Sequence, residues 1–580
     1  MTTLTLQSFG MNYVHPNDVK IKILPGYQRI IDDAVISGGS QLSPHWNNIE
    51  TARGVYDWSQ LDLIVAAGLA RGQKLIYTFC YVPAWSNGNN TKDVPPTNFQ
   101  DYYDFCTAVA TRYKGKISVY EVWNEANNSG SSGYWSGTVA QMVTLSNGGQ
   151  AALKAADPNC QVTSPSVAPI GGHTYLQQYF AAGGSPFDGI AVHFYWFTSL
   201  TDNRTPASIL PEQNWMFLKY IIAAKNAAGY ASSPIVCPEG GWLNSSAVPV
   251  LDKQAAWASI WQAILLTNGV QYVCWYAYEN GTFGDLTTDA TQLLVGANSP
   301  ALNAAGVAFK ETMKWLLGAT VVSPVARNAG TNGVRNPTFS GGGAGTVPTN
   351  FILYNPDSGN GITAAINGVG TEGGLTYLEV HVSGTATTGA AGYVELFFES
   401  GTQIAATVGQ WFTTGARVKI QSGSTANLTG PLVLGLNEYN SGGTYVGNSL
   451  YFGFTPQASS LPDNDVQFPA QVLTSGAAFV DPFIAWTYAV GAVIDITVRI
   501  ALPFCDSSTI WLGTITKPGG YSGLIMWDAS GGPTLYSPPS PYNVWTRDIY
   551  GTGQPIPPNG VLLTNQPVIM ESAQWSGSFL

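Results

Sequence analysis

Short apolar segments typical of β-strands alternate with amphipathic segments typical of helices along the first 318 residues of this 580-residue chain. The strand segments are rich in β-branched and aromatic residues, whereas apolar residues recur every three or four positions in the helical segments. Predicted strands lie at residues 8–13, 40–43, 74–79, 161–164, 190–194, 235–237 and 271–276, with another that begins at Val119. Eight of each kind in strict alternation predict an α/β fold, a (β/α)8 or TIM barrel, for residues 1–318.

The helical segments carry recognisable start and stop signals. We predict the first helix at residues 27–36, before Gly38 and Gly39, and a second from Ser59 to Gly72. Further helices are predicted at residues 98–113, 138–156, 173–182, 213–228 and 252–268. The last helix should open at Ser299 and Pro300, at the N-cap and first-turn positions, and close at Gly318.

The composition changes after Gly318. Residues 331–513 contain many short alternating segments separated by turn residues, as at residues 377–382, 393–398 and 493–502, which indicates a β-sandwich.

Charge and aromatic content limit the possible partners. The net charge is -11, whereas nucleic acids and anionic membranes bind basic surfaces, so we expect no nucleic-acid partner. The sequence has no run of 18 apolar residues, so we expect no membrane insertion. The 18 Trp and 29 Tyr provide flat rings that suit the C–H faces of sugars as well as a core. A neutral partner such as a carbohydrate fits best, and the oligomeric state is left open.

The six cysteines lie far apart and include no Cys-x-x-Cys pair. Cys80, Cys237 and Cys274 fall in apolar strand segments, which favours buried free thiols over disulfides or a zinc site. We predict neither a metal nor another cofactor. The first residues contain neither a basic segment nor an apolar signal core, so we expect that the protein is not exported by that route or that a signal has been removed.

Polar and aromatic residues follow several predicted strands, at the end of a barrel where active sites form. Asn124 and Glu125 follow the fourth strand and Glu239 follows the seventh. Strands four and seven lie on opposite sides of an eight-stranded ring, so the two carboxylates should face each other across its mouth. Each residue alone is more often structural than catalytic. The other candidate binding residues in these strand-end regions are His45, Trp85, His193, Tyr195, Trp275 and Tyr278.

Five stretches carry a family resemblance: residues 46–50 (WNNIE), 54–58 (GVYDW), 77–85, 120–125 (YEVWNE) and 238–242 (PEGGW). The chain resembles glycoside hydrolase clan A, and within it family 39 and its relatives, over residues 1–320. The resemblance implies a retaining hydrolase that cleaves a β-type glycosidic bond through a covalent glycosyl-enzyme. An exopolysaccharide is one candidate substrate, and this class of substrate favours an extracellular or periplasmic location.

The resemblance also implies individual roles. Glu125 corresponds to the general acid/base, Glu239 to the nucleophile, and Asn124 to the residue that binds the sugar hydroxyl beside the anomeric carbon. Tyr195 should orient Glu239 with His193 beside it, and Trp275 should form an aromatic floor under the sugar or, as the alternative, belong to the core at the barrel rim. An acid/base must be protonated at the start, so we expect burial and the charge of Glu239 to raise the pKa of Glu125.

Two other glutamates compete for these roles. Glu121 lies inside the fourth strand, where an ion pair in the barrel interior is expected, and Glu279 follows the eighth strand, where it would be solvated or contact substrate.

The tail resembles further modules. Residues 331–513 are similar to jelly-roll carbohydrate-binding modules, for which a spacer role is the alternative. Residues 319–330 and 514–580 resemble the small accessory β-domain of clan A enzymes, made discontinuous here by the inserted sandwich. For the whole protein, the alternative function is a non-catalytic carbohydrate-binding protein or adhesin on a glycosidase-like barrel.

Overall fold

The structure is a computed structural model. It describes residues 3–13, 21–32, 43–89, 91–129, 133–169, 171–195, 211–241, 251–278, 301–400, 403–429, 432–454, 456 and 460–575. Glu279, Ser299 and Pro300 lie outside the described residues. The chain forms two compact units, the first comprising Met1–Trp215, Ser232–Ala326 and Trp511–Leu580, and the second Met216–Ala231 and Arg327–Ile510.

The first 320 residues alternate between strands and helices. The strands are β1 (Phe9–Asn12), β2 (Tyr27–Ile30), β3 (Glu50–Ala52), β4 (Val55–Tyr56), β5 (Lys74–Thr78), β6 (Ile117–Glu121), β7 (Gln161–Thr163), β8 (Ile190–Ala191), β9 (Phe194–Tyr195), β10 (Ile235–Gly241) and β11 (Val270–Trp275). The helices are α1 (Trp46–Ile49), α2 (Ser59–Ala70), α3 (Ala84–Asn87), α4 (Phe99–Arg112), α5 (Val139–Ala156), α6 (Gly172–Ala181), α7 (Gln213–Ala227), α8 (Leu251–Thr267) and α9 (Ala304–Leu316).

Nine of these strands form one sheet with the order β7-β6-β5-β2-β1-β11-β10-β8, in which β9 also pairs with β10. The pairings are parallel, as between β1 and β2, and between β10 and β11. Parallel bridges from Thr163 to Gly189 and from Val167 to Val192 join the two ends of the sheet. Since β8 and β9 are two halves of one interrupted strand, the sheet is an eight-stranded parallel barrel with helices. The predicted fold class is confirmed.

The helix predicted at residues 27–36 is wrong, because Tyr27–Ile30 forms strand β2. In this strand Tyr27 pairs with Gly10 on β1 and with Lys74 on β5. A short apolar run satisfies the helical and the strand spacing equally well, and the parallel pairing on both sides decides in favour of the strand. The change matters because it places Arg29 inside the barrel.

The other predicted barrel helices with described residues agree with the structure to within a few residues at their ends. Local sequence explains several of their starts. The Asn98 side chain accepts a hydrogen bond from the Gln100 N–H, and Thr138 forms a capping box with Gln141 before α5. Helix α9 is capped by Asn303. Among the described residues, no helix has the length and apolarity to cross a lipid bilayer. All six cysteines are buried free thiols, which confirms the prediction for Cys80, Cys237 and Cys274.

The remainder of the chain is built from strands. They are β12 (Thr320–Arg327), β13 (Ile352–Tyr354), β14 (Ile362–Glu372), β15 (Leu375–Thr385), β16 (Tyr393–Phe397), β17 (Ile404–Ala405), β18 (Trp411–Gly423), β19 (Leu432–Tyr439), β20 (Tyr445–Phe454), β21 (Asp465–Gln471), β22 (Phe479–Thr487), β23 (Val493–Asp506), β24 (Ile510–Lys517), β25 (Tyr521–Asp528), β26 (Thr534–Tyr536), β27 (Trp545–Asp548), β28 (Gly553–Pro555), β29 (Val561–Leu563) and β30 (Val568–Glu571).

These strands form two groups of sheets. A six-stranded sheet has the order β12-β24-β25-β30-β27-β28, so a strand that follows the barrel directly lies beside strands from the end of the chain. In the second unit, β13-β16-β22-β19-β20 with β17 and β14-β15-β23-β18-β21 form two antiparallel sheets. Leu378, Val380 and Val382 alternate with more exposed neighbours on β15, as expected for a sheet with one buried face. The jelly-roll assignment and the domain boundaries remain predictions.

Candidate active site

Two carboxylates meet at the carboxyl end of the barrel strands. Glu125 follows β6, and Glu239 lies near the end of β10. A carboxylate oxygen of each, together with a ring nitrogen of His193, lie within 4.8 Å of one another. The side chains of Glu125 and Glu239 are 11% and 12% exposed, so a small opening to solvent remains at both.

The backbone at Glu125 adopts a conformation that is rare for residues with a side chain. Its φ is 37°, in the left-handed region. The segment is held by Ser166, whose hydroxyl accepts a hydrogen bond from the Glu125 N–H at 2.9 Å and whose carbonyl accepts one from the Ala126 N–H at 2.9 Å. Such conformations persist where the surroundings fix them, and they concentrate at functional sites. Ser166 therefore helps to fix the position of the Glu125 carboxylate.

His193 lies between the two carboxylates, in the gap between β8 and β9. Its Nδ1 is 2.9 Å from Glu125 Oε1 and 3.8 Å from Glu239 Oε2, and its Nε2 is 3.5 Å from Glu121 Oε1. Burial lowers the pKa of His193, but Glu239, Glu121 and Glu125 outweigh it and raise the pKa to about 9. His193 is therefore a cation at neutral pH in the ligand-free site.

Arg29 on β2 connects the whole cluster and was missed by the sequence analysis. Its fully buried guanidinium donates to Glu239 Oε2, to Asn124 Oδ1 at 2.7 Å, and to Glu121 at 3.0 Å from Nε and 3.3 Å from Nη2. The sequence signal for Arg29 was a charged residue within the largely apolar segment Tyr-Gln-Arg-Ile-Ile. A buried arginine needs carboxylate partners, so its position in such a segment points to an interior ion pair. The helix predicted for this segment concealed it.

Asn124 and Tyr195 complete the inner ring. Asn124 is 1% exposed, and its Nδ2 finds no hydrogen-bond partner in the described part of the chain. A buried amide with unused donors costs free energy unless a ligand or water accepts from them, so Asn124 is suited to bind a hydroxyl group. The Tyr195 hydroxyl donates to Glu239 Oε1 at 2.8 Å.

Glu121 has the interior role predicted for it. It is fully buried, accepts hydrogen bonds from Arg29 and from Thr78 Oγ1 at 2.8 Å, and forms an ion pair with Arg29. Although burial acts to raise the pKa of Glu121, the charge of Arg29 and the hydrogen bond from His193 lower it to about 2. Glu121 is thus a permanent anion that supports the two cations.

The pKa expected for Glu125 is not found in the ligand-free site. Burial acts to raise the pKa of Glu125, but the hydrogen bond and charge of His193 outweigh burial and the pKa is lowered. The pKa of Glu239 is raised, because its burial outweighs the stabilising charges of His193 and Arg29. Burial and the second carboxylate alone would raise the pKa of Glu125, whereas the cation between the two carboxylates lowers it.

Two further predicted binding residues, His45 and Trp85, are held by neighbouring groups. His45 Nε2 is 3.4 Å from Asp32 Oδ1, and the Asp32 carboxylate accepts a hydrogen bond from the Tyr276 hydroxyl at 2.9 Å. Trp85 is half-buried, donates from Nε1 to the Glu50 carbonyl at 2.8 Å, and has the Arg53 guanidinium 5.3 Å from the centroid of its ring. Asp32 and Tyr276 were not identified from the sequence.

Trp275 and Tyr278 do not have the exposure expected of residues that stack on a sugar. Neither has any exposed surface. Trp275 packs edge-to-face against Trp261 and Phe309, at centroid distances of 5.4 and 5.9 Å. The Tyr278 hydroxyl accepts from the Lys22 N–H at 3.0 Å. Both side chains are enclosed by protein atoms, which gives them a structural role in this arrangement.

One group of potential metal ligands occurs among the described residues, namely Glu125, His193 and Glu239. Arg29 already donates to Glu239, and its Nη2 is 3.4 Å from His193 Nε2. The guanidinium already supplies the positive charge that a metal ion would bring, and it would repel a metal ion bound beside it. The donor set therefore fits proton chemistry between carboxylates better than metal binding.

The fold and the site define a (β/α)8 barrel with two facing carboxylates at the carboxyl end of its strands. No protein-family model matches the chain. Similar solved structures include a family 39 glycoside hydrolase from the gut symbiont Bacteroides cellulosilyticus WH2, at 13% identity and a TM-score of 0.39, covering 86% of this chain and 81% of its own. A family 39 β-xylosidase from Caulobacter crescentus has 13% identity and a TM-score of 0.39, with 83% of this chain and 96% of its own covered.

The native xylanase 10B from Thermotoga maritima is also similar, at 14% identity and a TM-score of 0.37, covering 53% of this chain and 96% of its own. Sequence identity is low in all three cases, so the function is inferred from the geometry of the site.

Proposed function

We propose that the protein is a retaining glycoside hydrolase that cleaves a β-type glycosidic bond in an oligo- or polysaccharide. The observation that carries the proposal is the Glu125–Glu239 pair, whose nearest carboxylate oxygens lie within 4.8 Å. Retaining enzymes hold their carboxyl groups about 5–5.5 Å apart, whereas inverting enzymes need about 6.5–9.5 Å to admit a water molecule. The separation in this site fits direct attack by one carboxylate on the sugar.

In the first step, Glu239 attacks the anomeric carbon and Glu125 protonates the departing glycosidic oxygen. Arg29 and Tyr195 hold the two Glu239 oxygens, so the nucleophile has one orientation. In the second step, Glu125 takes a proton from water, which attacks the same carbon and releases Glu239. The unused amide donors of Asn124 bind a sugar hydroxyl, and the gain is greatest as charge develops in the transition state.

The balance of charges in the site favours one proton on the reacting pair of carboxyl groups. Arg29 and protonated His193 bring two positive charges against the three carboxylates of Glu121, Glu125 and Glu239. The cluster is therefore neutral when one carboxyl group of the reacting pair keeps a proton. His193 Nδ1 faces both members of the pair, so it can pass the proton to Glu125 when a sugar separates the carboxylates.

The opposite assignment, with Glu125 as nucleophile and Glu239 as acid, has one observation in its favour. In the ligand-free site the pKa of Glu125 is lowered and that of Glu239 is raised. We nevertheless assign the nucleophile to Glu239, because Arg29 and Tyr195 hold both of its oxygens while Glu125 lies on a loop held by Ser166.

Covalent trapping tests the function and the assignment together. Wild-type protein is incubated with a panel of 2-deoxy-2-fluoro glycosides with activated leaving groups, digested, and the labelled peptide is sequenced by mass spectrometry. We expect a single sugar attached to Glu239. Attachment to Glu125 would reverse the roles. Absence of both labelling and hydrolysis across the panel and across soluble polysaccharides would favour a non-catalytic sugar-binding barrel.

Substitution provides a second test. Glu125→Gln and Glu239→Gln should each lower kcat by several orders of magnitude, because each removes a proton donor or a nucleophile while retaining the shape of the site. Glu379→Gln, on β15 of the second unit, is the matched control. Activity of either site variant within tenfold of wild type would contradict the proposal.

A further inference from the structure

The second unit carries a cleft of about 770 Å³ on one face of the sheet β13-β16-β22-β19-β20. Alternate residues of β16 separate the two faces of this sheet. Val394 and Leu396 are fully buried on one side, whereas Tyr393 and Glu395 line the cleft on the other. The cleft is therefore on the side of the sheet that faces away from the unit's own core.

Aromatic side chains line this cleft from one edge of the sheet to the other. Tyr354 on the edge strand β13 is 46% exposed, and Tyr445 on the opposite edge strand β20 is 51% exposed. Four strand spacings separate these edges, which corresponds to about 19 Å. Three ring pairs lie along it with centroid distances of 6.3, 6.1 and 5.6 Å, namely Tyr354–Tyr393, Tyr439–Tyr445 and Phe397–Phe483.

Small residues lie at the floor of the cleft. Ala485 is the cross-strand partner of Glu395, and the Phe483 ring lies on Gly435, where an added Cβ would come within 2.3 Å of the Phe483 Cζ. The Phe483 ring therefore lies close against the sheet and is itself fully buried, so it forms the base of the cleft. The exposed rings are those of Tyr354 and Tyr445, at the two ends of an elongated groove.

Two polar groups lie within this aromatic lining. The Glu395 carboxylate has no hydrogen-bond donor or ion-pair partner within the described residues, and burial raises its pKa to about 7. The Asn437 amide, 7% exposed, lies on β19. Among the described residues that line the cleft there is no lysine or arginine. An anionic ligand is therefore disfavoured, whereas hydroxyl groups could donate to Glu395 and accept from Asn437.

We propose that this cleft binds a neutral oligosaccharide or a segment of a neutral polysaccharide. The tyrosine rings offer flat faces to the C–H surfaces of sugar rings, and the partnerless carboxylate meets their hydroxyl groups. The length of the groove suits several consecutive sugar units better than a monosaccharide. The site consists of residues of the second unit alone and does not depend on catalysis by the barrel.

Affinity electrophoresis of the full chain tests the proposal. The probes are a xylan, a mixed-linkage β-glucan and a galactomannan, with polygalacturonate as the anionic comparison. The Glu239→Gln variant is used so that turnover does not alter the polymer. We expect retardation by at least one neutral polymer and none by polygalacturonate. Absence of retardation on every neutral polymer would overturn the proposal, and so would preference for polygalacturonate.

Variants in the same background locate the site. Tyr354→Ala and Glu395→Ala should each weaken the binding at least tenfold, because each removes a different element of the groove. Tyr377→Ala, which alters a half-buried tyrosine on the other sheet of the same unit, is the matched control and should bind as its parent does. Equal retardation of all three variants would place the binding elsewhere and refute the assignment. Circular dichroism of each variant establishes that it is folded.

The result is independent of the proposed hydrolysis. If trapping at Glu239 fails but the groove variants lose binding, the barrel assignment is wrong and the groove assignment stands. If trapping succeeds but no neutral polymer is retarded, the groove assignment is wrong and the barrel assignment stands.

Discussion

Glu212 makes the stability of the first unit depend on pH in a direction that can be calculated. The residue immediately precedes α7 and is 4% exposed. Its Oε1 accepts a hydrogen bond from Trp527 Nε1 on β25, while its Oε2 has no partner among the described residues. Burial raises the pKa of Glu212 from 4.5 to about 7. The folded state thus holds a proton that the unfolded chain releases at lower pH.

The sign and the size of the contribution of Glu212 to stability follow from proton linkage. The folded pKa is raised, so the contribution of Glu212 to stability is complete below pH 4.5 and is lost as the pH rises through 7. With pKa values of 4.5 and about 7, the loss is about 1 kcal/mol at pH 5 and about 3 kcal/mol at pH 8. Glutamine keeps the acceptor for Trp527 and carries no charge. The stability of Glu212→Gln relative to wild type should therefore rise by about 2 kcal/mol between these two pH values.

Urea unfolding of wild type and Glu212→Gln at pH 5, 6, 7 and 8, followed by tryptophan fluorescence, measures this difference. Asp104→Asn, which removes an exposed carboxylate on α4, controls for the loss of one surface charge. A difference between wild type and Glu212→Gln that stays constant from pH 5 to pH 8 would refute the reasoning.

Three further predictions concern the barrel site. Arg29→Met leaves buried carboxylates without their counter-charge, so thermal or urea unfolding should show that the free energy of unfolding falls by about 3–5 kcal/mol. Arg29→Lys should be more stable than Arg29→Met, but its kcat/KM should fall at least a hundredfold because lysine cannot bridge Asn124 and Glu239. Ser166→Ala should lower kcat about tenfold with KM little changed, because it frees the backbone that positions Glu125; an unchanged kcat would show that the clamp is unimportant. The raised pKa of His193 adds stability that is complete below pH 6.5 and lost as the pH rises through about 9, so wild-type stability should fall over that range and His193→Gln should lack this fall.

The strand-helix alternation and the residues that follow the strands were readable from the sequence. Asn124, Glu125 and Glu239 are exceptional polar residues after apolar strands, and the barrel topology brings the two glutamates together. Arg29 was missed because a segment of four mixed apolar and polar residues fits a helix and a strand equally well. Only its pairing with both neighbouring strands shows that it is a strand.

Other features depend on information that a single sequence does not contain. The left-handed backbone of Glu125 arises from the hydrogen bonds of Ser166, a residue 41 positions away. The direction of the Glu125 pKa depends on the charge of His193, which is itself set by three carboxylates. Trp275 follows the pattern of a strand-end aromatic residue, but the packing of Trp261 and Phe309 encloses its ring.

The order of the sheet that contains β12 and β24 has a consequence for synthesis. Strand β12 ends at Arg327 and its neighbour β24 begins at Ile510, so the ribosome makes the intervening residues 328–509 before the two can pair. At a synthesis rate of about 5–20 residues per second, β24 is made about 10–40 s after β12. The strands of the second unit, by contrast, emerge together and can pair during this interval. The sheet that contains β12 is therefore completed after those of the second unit, once β30 has left the ribosome.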